Sequence, residues 1–258
     1  MLAFHSWNCQ VRAQVKRTCV TCCMKVSRRK WISNCVLSLS ILNFLQRPLW
    51  AQVTYDKYAK NYDLLETSSW NQLFQLDALR RQLLSFVSGG RVLEVAIGTG
   101  LNLVYYPWQS IEQFRGIDTS SNMLQQTRNK LESLSKYYNM NWELINAPVT
   151  RLPFPDDYFD HVVDTFSLCV FDNPDLALKE MKRVCKKGGT ILLLEHSSSP
   201  YRLVREYQRY TGKLVAKLAK GCDWSLPLQE LLKKVDFSCV IYEKYALLGT
   251  VSLHVVSK

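Results

Sequence analysis

Glu94, Gly98, Gly100 and Asp118 are the residues of this 258-residue chain whose types and spacing first imply chemistry. Glu94 lies in the apolar run Arg91-Val92-Leu93-Glu94-Val95-Ala96, and the chain then breaks at Ile97-Gly98-Thr99-Gly100. Two glycines one residue apart reach backbone angles closed to other residues and leave no side chain between the main chain and a ligand. Eighteen residues past Gly100 a second apolar run, Phe114 to Ile117, ends on Asp118. An acid at that distance suits a pair of ribose hydroxyls. A Gly-x-Gly turn alone also occurs in ordinary strand-to-helix connections; flanked by these two acids it reads as half of a Rossmann-like nucleotide site. A dinucleotide fingerprint would put a third glycine where Leu103 stands, which disfavours a nicotinamide cofactor.

The elements that must position these residues follow from hydrophobic period and punctuation. Helices are predicted over Asn71 to Val87, Ser120 to Lys136, Pro174 to Cys185, Tyr201 to Lys220 and Leu226 to Val235, with a short helix stopped before Pro107. Strands are predicted over Arg91 to Ala96, Phe114 to Ile117, Trp142 to Ile145, His161 to Thr165, Thr190 to Leu194, Ser238 to Lys244 and Val251 to Val256. Alternation of strands and helices implies an α/β fold, a parallel sheet with helices on both faces. Asn173-Pro174 gives an N-cap followed by proline at the first helical position, and Lys186-Lys187-Gly188 reads as the same helix's basic end and glycine stop.

Glu94-x-x-x-Gly98-x-Gly100 resembles the first motif of class I S-adenosylmethionine (SAM) methyltransferases, and the likeness spans about residues 53 to 258. Tyr55-Asp56-x-x-Ala59-x-x-Tyr62-Asp63 is similar to the opening helix of the ubiquinone/menaquinone-type (methyltransferase type 11) members. Asn146-Ala147-x-x-x-x-Leu152-Pro153-Phe154-Pro155-Asp156, followed by Phe159-Asp160-x-Val162, is similar to that group's adenine loop and fourth strand. Lys187-Gly188-Gly189-Thr190 looks like its turn into the fifth strand. A narrower likeness, carried by Asn102, Tyr106-Pro107, Glu195-His196 and Gly221-Cys222, is to membrane-anchored alkyl-thiol methyltransferase-like proteins and a fungal mitochondrial inner-membrane relative. Two positions depart from the pattern: Ala96 replaces the usual first glycine, and Asn146 replaces an aspartate, keeping a carbonyl acceptor without the charge.

The resemblance implies a Rossmann-like, mostly parallel seven-stranded sheet ending in an antiparallel strand pair, SAM as cofactor, and transfer of its methyl group to a small, lipophilic acceptor such as a quinone precursor, lipid or thiol. An alternative use of the same fold is a SAM-binding assembly or scaffold protein of an organelle membrane, without turnover. The implied cofactor residues are Glu94, Gly98 and Gly100 at the methionine end, Asp118 on the ribose, and Asn146 with Ala147 at the adenine. Met123 packs on the adenine or belongs to the core; Tyr58 and Tyr62 stack near the sulfonium as cation–π partners or pack an amphipathic helix. Asp164 and Thr165 are implied substrate contacts. His196, just past the fifth strand, is placed to act as a general base or to cap the strand end, with Glu195 beside it as a backbone anchor.

Composition bounds the remainder. Residues 1–55 hold eight of the 33 basic residues and none of the 22 acids, leaving 25 against 22 in the rest, so the +11 net charge belongs mostly to the extension and gives no support to nucleic-acid binding. An acid-free, arginine-containing N-terminus resembles an organelle presequence, so residues 1–52 are expected to be a targeting or anchor extension ahead of a methyltransferase domain at 53–258. The organelle, mitochondrion or plastid, stays open. Trp31 to Leu45 would make a helix of only about 22 Å, short of a bilayer's hydrocarbon core. Segments 31–45 and 201–220 are the candidates for peripheral membrane association; in the latter Leu203, Tyr207, Tyr210, Leu214 and Leu218 share a face with Arg205, Arg209, Lys213 and Lys217 roughly opposite. The bland reading of 201–220 is a cover helix packing its apolar face over the substrate cleft. No metal site is expected: Cys19-x-x-Cys22 lacks a second half-site, and Cys169, Cys185, Cys222 and Cys239 are isolated in sequence.

Overall fold

The computed structural model describes Asp56, Ala59, residues 75–218 and residues 221–258. The extension at 1–52, with Cys19, Cys22 and the segment 31–45, lies outside the described residues, as does the predicted helix start at Asn71.

The strands are β1 (Gly90–Val95), β2 (Ile111–Asp118), β3 (Trp142–Asn146), β4 (Phe159–Thr165), β5 (Cys185–His196), β6 (Cys239–Ala246) and β7 (Val251–Ser257); helix α1 (Leu76–Leu84) precedes β1, α2 (Ser121–Leu134) follows β2, α3 (Pro174–Val184) follows β4, and α4 (Arg202–Leu218) and α5 (Leu228–Val235) follow β5. Among the described residues the strands form one seven-stranded sheet in the order β3-β2-β1-β4-β5-β7-β6. The pairs β1–β2, β1–β4, β2–β3 and β4–β5 are parallel, whereas β7 enters antiparallel between β5 and β6. This is the Rossmann-like sheet with an antiparallel terminal pair that the motifs imply. Strand order reverses between β1 and β4, and open α/β sheets place ligands outside the carboxyl ends of strands at such a reversal.

The central strands are apolar on both faces because both faces are covered. Leu93, Val162, Ile191 and Leu193 point to one side, where they pack with Leu178 and Met181 of α3 and Leu231 and Val235 of α5. Their neighbours Val92, Val163, Leu192 and Leu194 point to the other, with Leu79 and Leu83 of α1 and Leu124 and Leu131 of α2. This two-residue alternation sets which side chains are left at the strand ends for chemistry.

Helix starts follow their caps. The Ser120 hydroxyl accepts from the Met123 N–H at 3.2 Å to open α2, and Asn173 accepts from the Leu176 N–H at 3.0 Å with Pro174 in the first turn of α3. Three expectations need correction. The predicted helix before Pro107 is a single 3₁₀ turn, Leu103–Tyr105. Strand β5 begins at Cys185, paired to Phe159, so Lys186-Lys187-Gly188-Gly189 is an irregular part of that pairing, with Gly188 at φ +74, and not a connection ahead of a strand at Thr190. The apolar face of α4 does not cover a cleft: Leu203, Tyr207, Tyr210, Leu214 and Leu218 are exposed, whereas Val204, Gln208, Thr211 and Val215 face the domain. Periodicity identified the stripe; it carries no information about what, if anything, covers it.

Candidate functional site

The residues implied at the cofactor lie along one edge because strand register puts them there. Asp118 pairs with Asn146 at the ends of β2 and β3, Glu94 with Gly116 and Val163, and Val95 with Asp164. Beyond β1 the backbone has positive φ at Ala96 (+46), Gly98 (+58) and Gly100 (+75). Gly98 and Gly100 need their glycines for different reasons. A Cβ on Gly98 would meet nothing closer than the Ala96 carbonyl at 3.9 Å, so the space above the turn is open; a Cβ on Gly100 would sit 2.6 Å from Leu103 Cδ1. The first is a gap a ligand can approach, and the second is a packing contact.

Asp118 holds this turn in place. Its Oδ2 accepts from the Gly98 N–H at 2.9 Å and its Oδ1 from the Ser120 N–H at 2.8 Å, tying the end of β2 to the turn after β1 and to the cap of α2. Burial raises its pKa, and those backbone donors pull it back. Thr127 of α2 donates to the Gly98 carbonyl at 2.6 Å from the other side. Asn146 donates its amide N–H to the Thr119 carbonyl at 3.0 Å, which turns its Oδ1 the other way, and the Ala147 N–H donates to the Asp118 carbonyl at 3.2 Å. Met123 is buried in the first turn of α2. Asp56 accepts from the Ser120 hydroxyl at this edge. Tyr58 and Tyr62 lie outside the described residues.

Glu94 is 2% exposed, and both of its carboxylate oxygens are engaged: Oε1 by the Asn102 amide at 2.8 Å, Oε2 by the Tyr106 hydroxyl at 2.8 Å. Asn102 also donates to Thr165 Oγ1 at 3.0 Å, while Arg80 of α1, itself buried, donates to Asn102 Oδ1 at 2.8 Å and to Thr165 Oγ1 at 3.1 Å. Sequence reading passed over Arg80, although its position three and four residues before Leu83 and Leu84 puts a charge on the apolar face of α1, an arrangement that calls for a buried partner.

On the β4–β5 side, Asp164 and Glu195 are both fully buried. Glu195 Oε1 accepts from the N–H groups of Ser167 and Leu168 at 2.7 and 3.3 Å, and Asp164 accepts from the Ser167 hydroxyl. Burial and the neighbouring Asp164 push Glu195 well above the usual carboxylate range. Phe166 turns the chain here at φ +56, its ring 5.2 Å from the Arg80 guanidinium and 5.1 Å from the His196 ring. The half-buried His196 directs Nδ1 at two sulfurs, 3.5 Å from Cys169 and 3.3 Å from Cys222, which are themselves 3.2 Å apart. The two cysteines that stand alone in sequence are therefore a pair in space, a correction that a separation of 53 residues made unreadable from spacing. The hydrogen bond with Cys169 and the adjacent imidazole pull the Cys222 thiol down to about 5.

Two outcomes test this reading. Burial raises Glu94 from 4.5 to about 7, so the stability it contributes is complete below its unfolded value and is lost as pH rises through about 7. Relative to wild type, Glu94→Gln is expected to gain up to about 3 kcal/mol between acid and mildly alkaline pH; urea unfolding across that range checks it, and parallel pH profiles for the two proteins would refute it. At the turn, Gly100→Ala is expected to cost about 2 to 4 kcal/mol, from the left-handed backbone plus the clash with Leu103, against about 1 to 2 kcal/mol for Gly98→Ala. Equal midpoint shifts in thermal denaturation would contradict the different packing of the two positions.

Known proteins resemble this arrangement. The family described as "Methyltransferase domain" matches residues 93–193, from β1 into β5. The demethylmenaquinone methyltransferase of Bacillus licheniformis is 34% identical over 181 residues, 66% of this chain and 76% of that protein. The phosphatidylethanolamine N-methyltransferase of Cereibacter sphaeroides is 41% identical over 108 residues, 42% of this chain and 51% of its own length. The mitochondrial methyltransferase OMS1 of Saccharomyces cerevisiae is 26% identical over 232 residues, 82% of this chain; the match spans 49% of that protein. Among solved structures, the [4+2]-cyclase SpnF superposes with a TM-score of 0.59 at 17% identity, covering 81% of this chain and 96% of that one, a likeness of fold alone. With the sheet order, the glycine turn and the acidic strand ends in place, these matches make the chain a class I SAM-dependent methyltransferase with a ubiquinone/menaquinone-type methyltransferase domain.

Proposed function

We propose that this methyltransferase acts on a small, lipophilic acceptor, a quinone precursor, lipid or thiol, at the surface of an organelle membrane. SAM supplies a methyl group already activated by its sulfonium, so the protein must bind the cation, exclude water and hold the acceptor in line. Positioning of that kind can supply about 7 to 11 kcal/mol of the barrier.

The observation that carries the cofactor half is the open space over Gly98 beside the aligned ends of β2 and β3. In this reading the Gly98–Gly100 turn receives the methionine end, Asp118 accepts from the ribose hydroxyls with its remaining lone pairs, and Asn146 Oδ1 with Ala147 meets the adenine. Met123 packs beneath the adenine, and Tyr58 and Tyr62 close over the sulfonium. Glu94 shapes the turn through Asn102 and Tyr106. Thr165 and His196 stand on the acceptor side, with Asp164 acting through Ser167.

The acceptor half rests on two supports. The relatives named for demethylmenaquinone and phosphatidylethanolamine act on lipophilic molecules, and α4 presents a lipid-compatible surface. On α4 the leucine and tyrosine residues are solvent-facing, with Tyr210 90%, Leu203 85% and Leu218 78% exposed. Arg202, Arg209, Lys213 and Lys217 are exposed on the same helix. Each such cation near an anionic bilayer contributes about 1 kcal/mol, added to burial of the leucine and tyrosine side chains. No helix of the described residues is long and apolar enough to cross a membrane, so α4 would lie in the interface plane. The acid-free N-terminal extension and the mitochondrial relative support an organelle as the location.

The acceptor is tested by incubating the full chain with methyl-labelled SAM and an organelle membrane extract, then identifying labelled product by mass spectrometry. A labelled lipophilic small molecule is the expected result, and label confined to protein or nucleic acid would sink the proposal. In calorimetry, Gly98→Ala and Asp118→Ala are each expected to weaken SAM binding at least tenfold, the latter by loss of charged hydrogen bonds worth about 1.5 to 3 kcal/mol. Unchanged affinity in both would remove SAM from this edge.

Membrane docking is tested by co-sedimentation with phosphatidylglycerol and phosphatidylcholine vesicles. Binding to the anionic vesicles alone is expected, weakened at least tenfold in a Tyr210→Ser, Leu214→Ser double variant. If that variant sediments like wild type, α4 is not the docking surface.

A further inference from the structure

Cys169 and Cys222 have no part in the methyl-transfer reading, yet both sulfurs converge on His196 Nδ1. The three donor atoms come from three separate elements: the 3₁₀ turn Leu168–Val170 after β4, the last residue of β5, and the loop after α4. The two sulfurs and His196 Nδ1 form a triangle with edges of 3.2, 3.3 and 3.5 Å. Both cysteines are buried and free. From these contacts we propose that Cys169, Cys222 and His196 Nδ1 bind one soft, tetrahedral metal ion of the zinc class, with a fourth coordination position left open.

The distances suit such an ion. Zinc–sulfur bonds of about 2.3 Å and zinc–nitrogen bonds of about 2.0 to 2.1 Å in a tetrahedron require donor separations of about 3.8 Å between sulfurs and about 3.6 Å between sulfur and nitrogen. The two sulfur–nitrogen edges already lie within a few tenths of an ångström of that value, and the sulfur–sulfur edge must open by about half an ångström. Small thiol rotations provide this, because the backbone is fixed independently of the sulfurs. The Asp223 N–H donates to the Cys169 carbonyl at 2.8 Å, Glu195 accepts from two N–H groups of the Cys169 turn, and the Phe166 ring packs on the imidazole.

Donor chemistry also separates a metal from a disulfide. A Cys169–Cys222 disulfide would use the sulfur contact but leave the imidazole aimed at two sulfurs that have neither a proton nor a charge to offer it. A metal ion engages all three donors. The buried acids Asp164 and Glu195, close behind the Cys169 turn, favour a cation at this position over a second anion. Three protein donors leave one tetrahedral position, and His196 is half-buried, so the open position is reachable at the carboxyl ends of β4 and β5. Sites with three protein ligands and an open fourth position are those in which zinc meets water or substrate; four-ligand sites are structural.

The test uses the untagged full chain, reduced, loaded with Zn²⁺ and freed of loosely held ion, with metal content read by mass spectrometry. Because Cys19 and Cys22 in the N-terminal extension offer other thiols, the decisive quantity is a difference. Wild type is expected to hold one more zinc equivalent than a Cys169→Ser, Cys222→Ser double variant, whereas Cys239→Ser, which alters an exposed thiol outside the cluster, holds the same as wild type. Loading with Co²⁺ gives a second readout: the d–d bands of a tetrahedral site in wild type, weakened in His196→Ala, which keeps both thiols. Equal zinc content in wild type and double variant overturns the proposal. So does a Cys169–Cys222 disulfide, found by peptide mapping, that persists in the reduced and metal-loaded protein. Neither readout depends on methyl transfer, so the metal proposal and the acceptor proposal fail separately.

Discussion

Burial of the Glu94 carboxylate at the end of β1 is the constraint on which the rest of the ligand edge depends. A carboxylate removed from water without partners is costly enough to neutralise itself or to unfold its surroundings. Here Asn102 and Tyr106 reach back from the far end of the loop to satisfy it, and Arg80 reaches across from α1 to satisfy Asn102. The loop between Gly98 and Tyr106 is therefore closed on itself by one acid. Its tight start, with positive φ at Ala96, Gly98 and Gly100, follows from the need to return Asn102 to Glu94 within eight residues. Asp118 then clamps the same turn from β2, so two acids on adjacent strands define its position from both sides.

The second part of the edge is built by the same rule with different chemistry. Asp164 and Glu195 lie side by side out of water, which raises Glu195 well above the usual carboxylate range, and one oxygen of each is engaged by Ser167 or Leu168. That arrangement orients the turn carrying Cys169. Phe166 joins the two parts, its ring close to both the Arg80 guanidinium and the His196 imidazole. A left-handed phenylalanine is uncommon, and its strain is held by the surrounding contacts and the Phe166 N–H bond to the Leu194 carbonyl at 2.8 Å. The result is a rigid edge of strand ends, in contrast to α4, which has only Gln208 fully buried and offers its apolar stripe outward.

Most of the sheet was legible because its strands are short apolar runs punctuated by glycine, proline and caps. The parallel sense of the sheet followed from alternation with helices, and the antiparallel ending from the family likeness; the strand order did not follow from either. What escaped reading has physical causes. Lys186 and Lys187 look like a helix end, yet the backbone of Cys185 pairs with Phe159 regardless of which charged side chains come next. Arg80 was legible as an anomaly on an apolar face, though its partner 22 residues away was not. Cys169 and Cys222 are brought together by the crossover from β4 through β5 and back along α4, a path no local spacing encodes. Burial of Asp164 was likewise invisible, since the strand pattern shows that a side chain faces a sheet surface but not how deep that surface lies.

The edge therefore divides along the reversal between β1 and β4. Toward β3 it offers a carboxylate, an amide and an open glycine turn, groups suited to hydroxyls and an amine; a SAM-dependent enzyme needs these whatever it methylates. Toward β5 it offers an imidazole and two thiols over a buried acid pair, groups with no role in holding a nucleoside. Because function resides in the site and not in the fold, relatives that share the first half can act on quinones or phospholipids with the same sheet. On the proposed reading, selectivity for the acceptor falls to the β4–β5 side, where residues of this chain converge from the 3₁₀ turn, the last residue of β5 and the loop after α4. The same loop leaves the helix that, among the described residues, faces solvent with leucine and tyrosine, so on the proposed reading the acceptor side and the surface that would meet a membrane are attached to a single stretch of backbone.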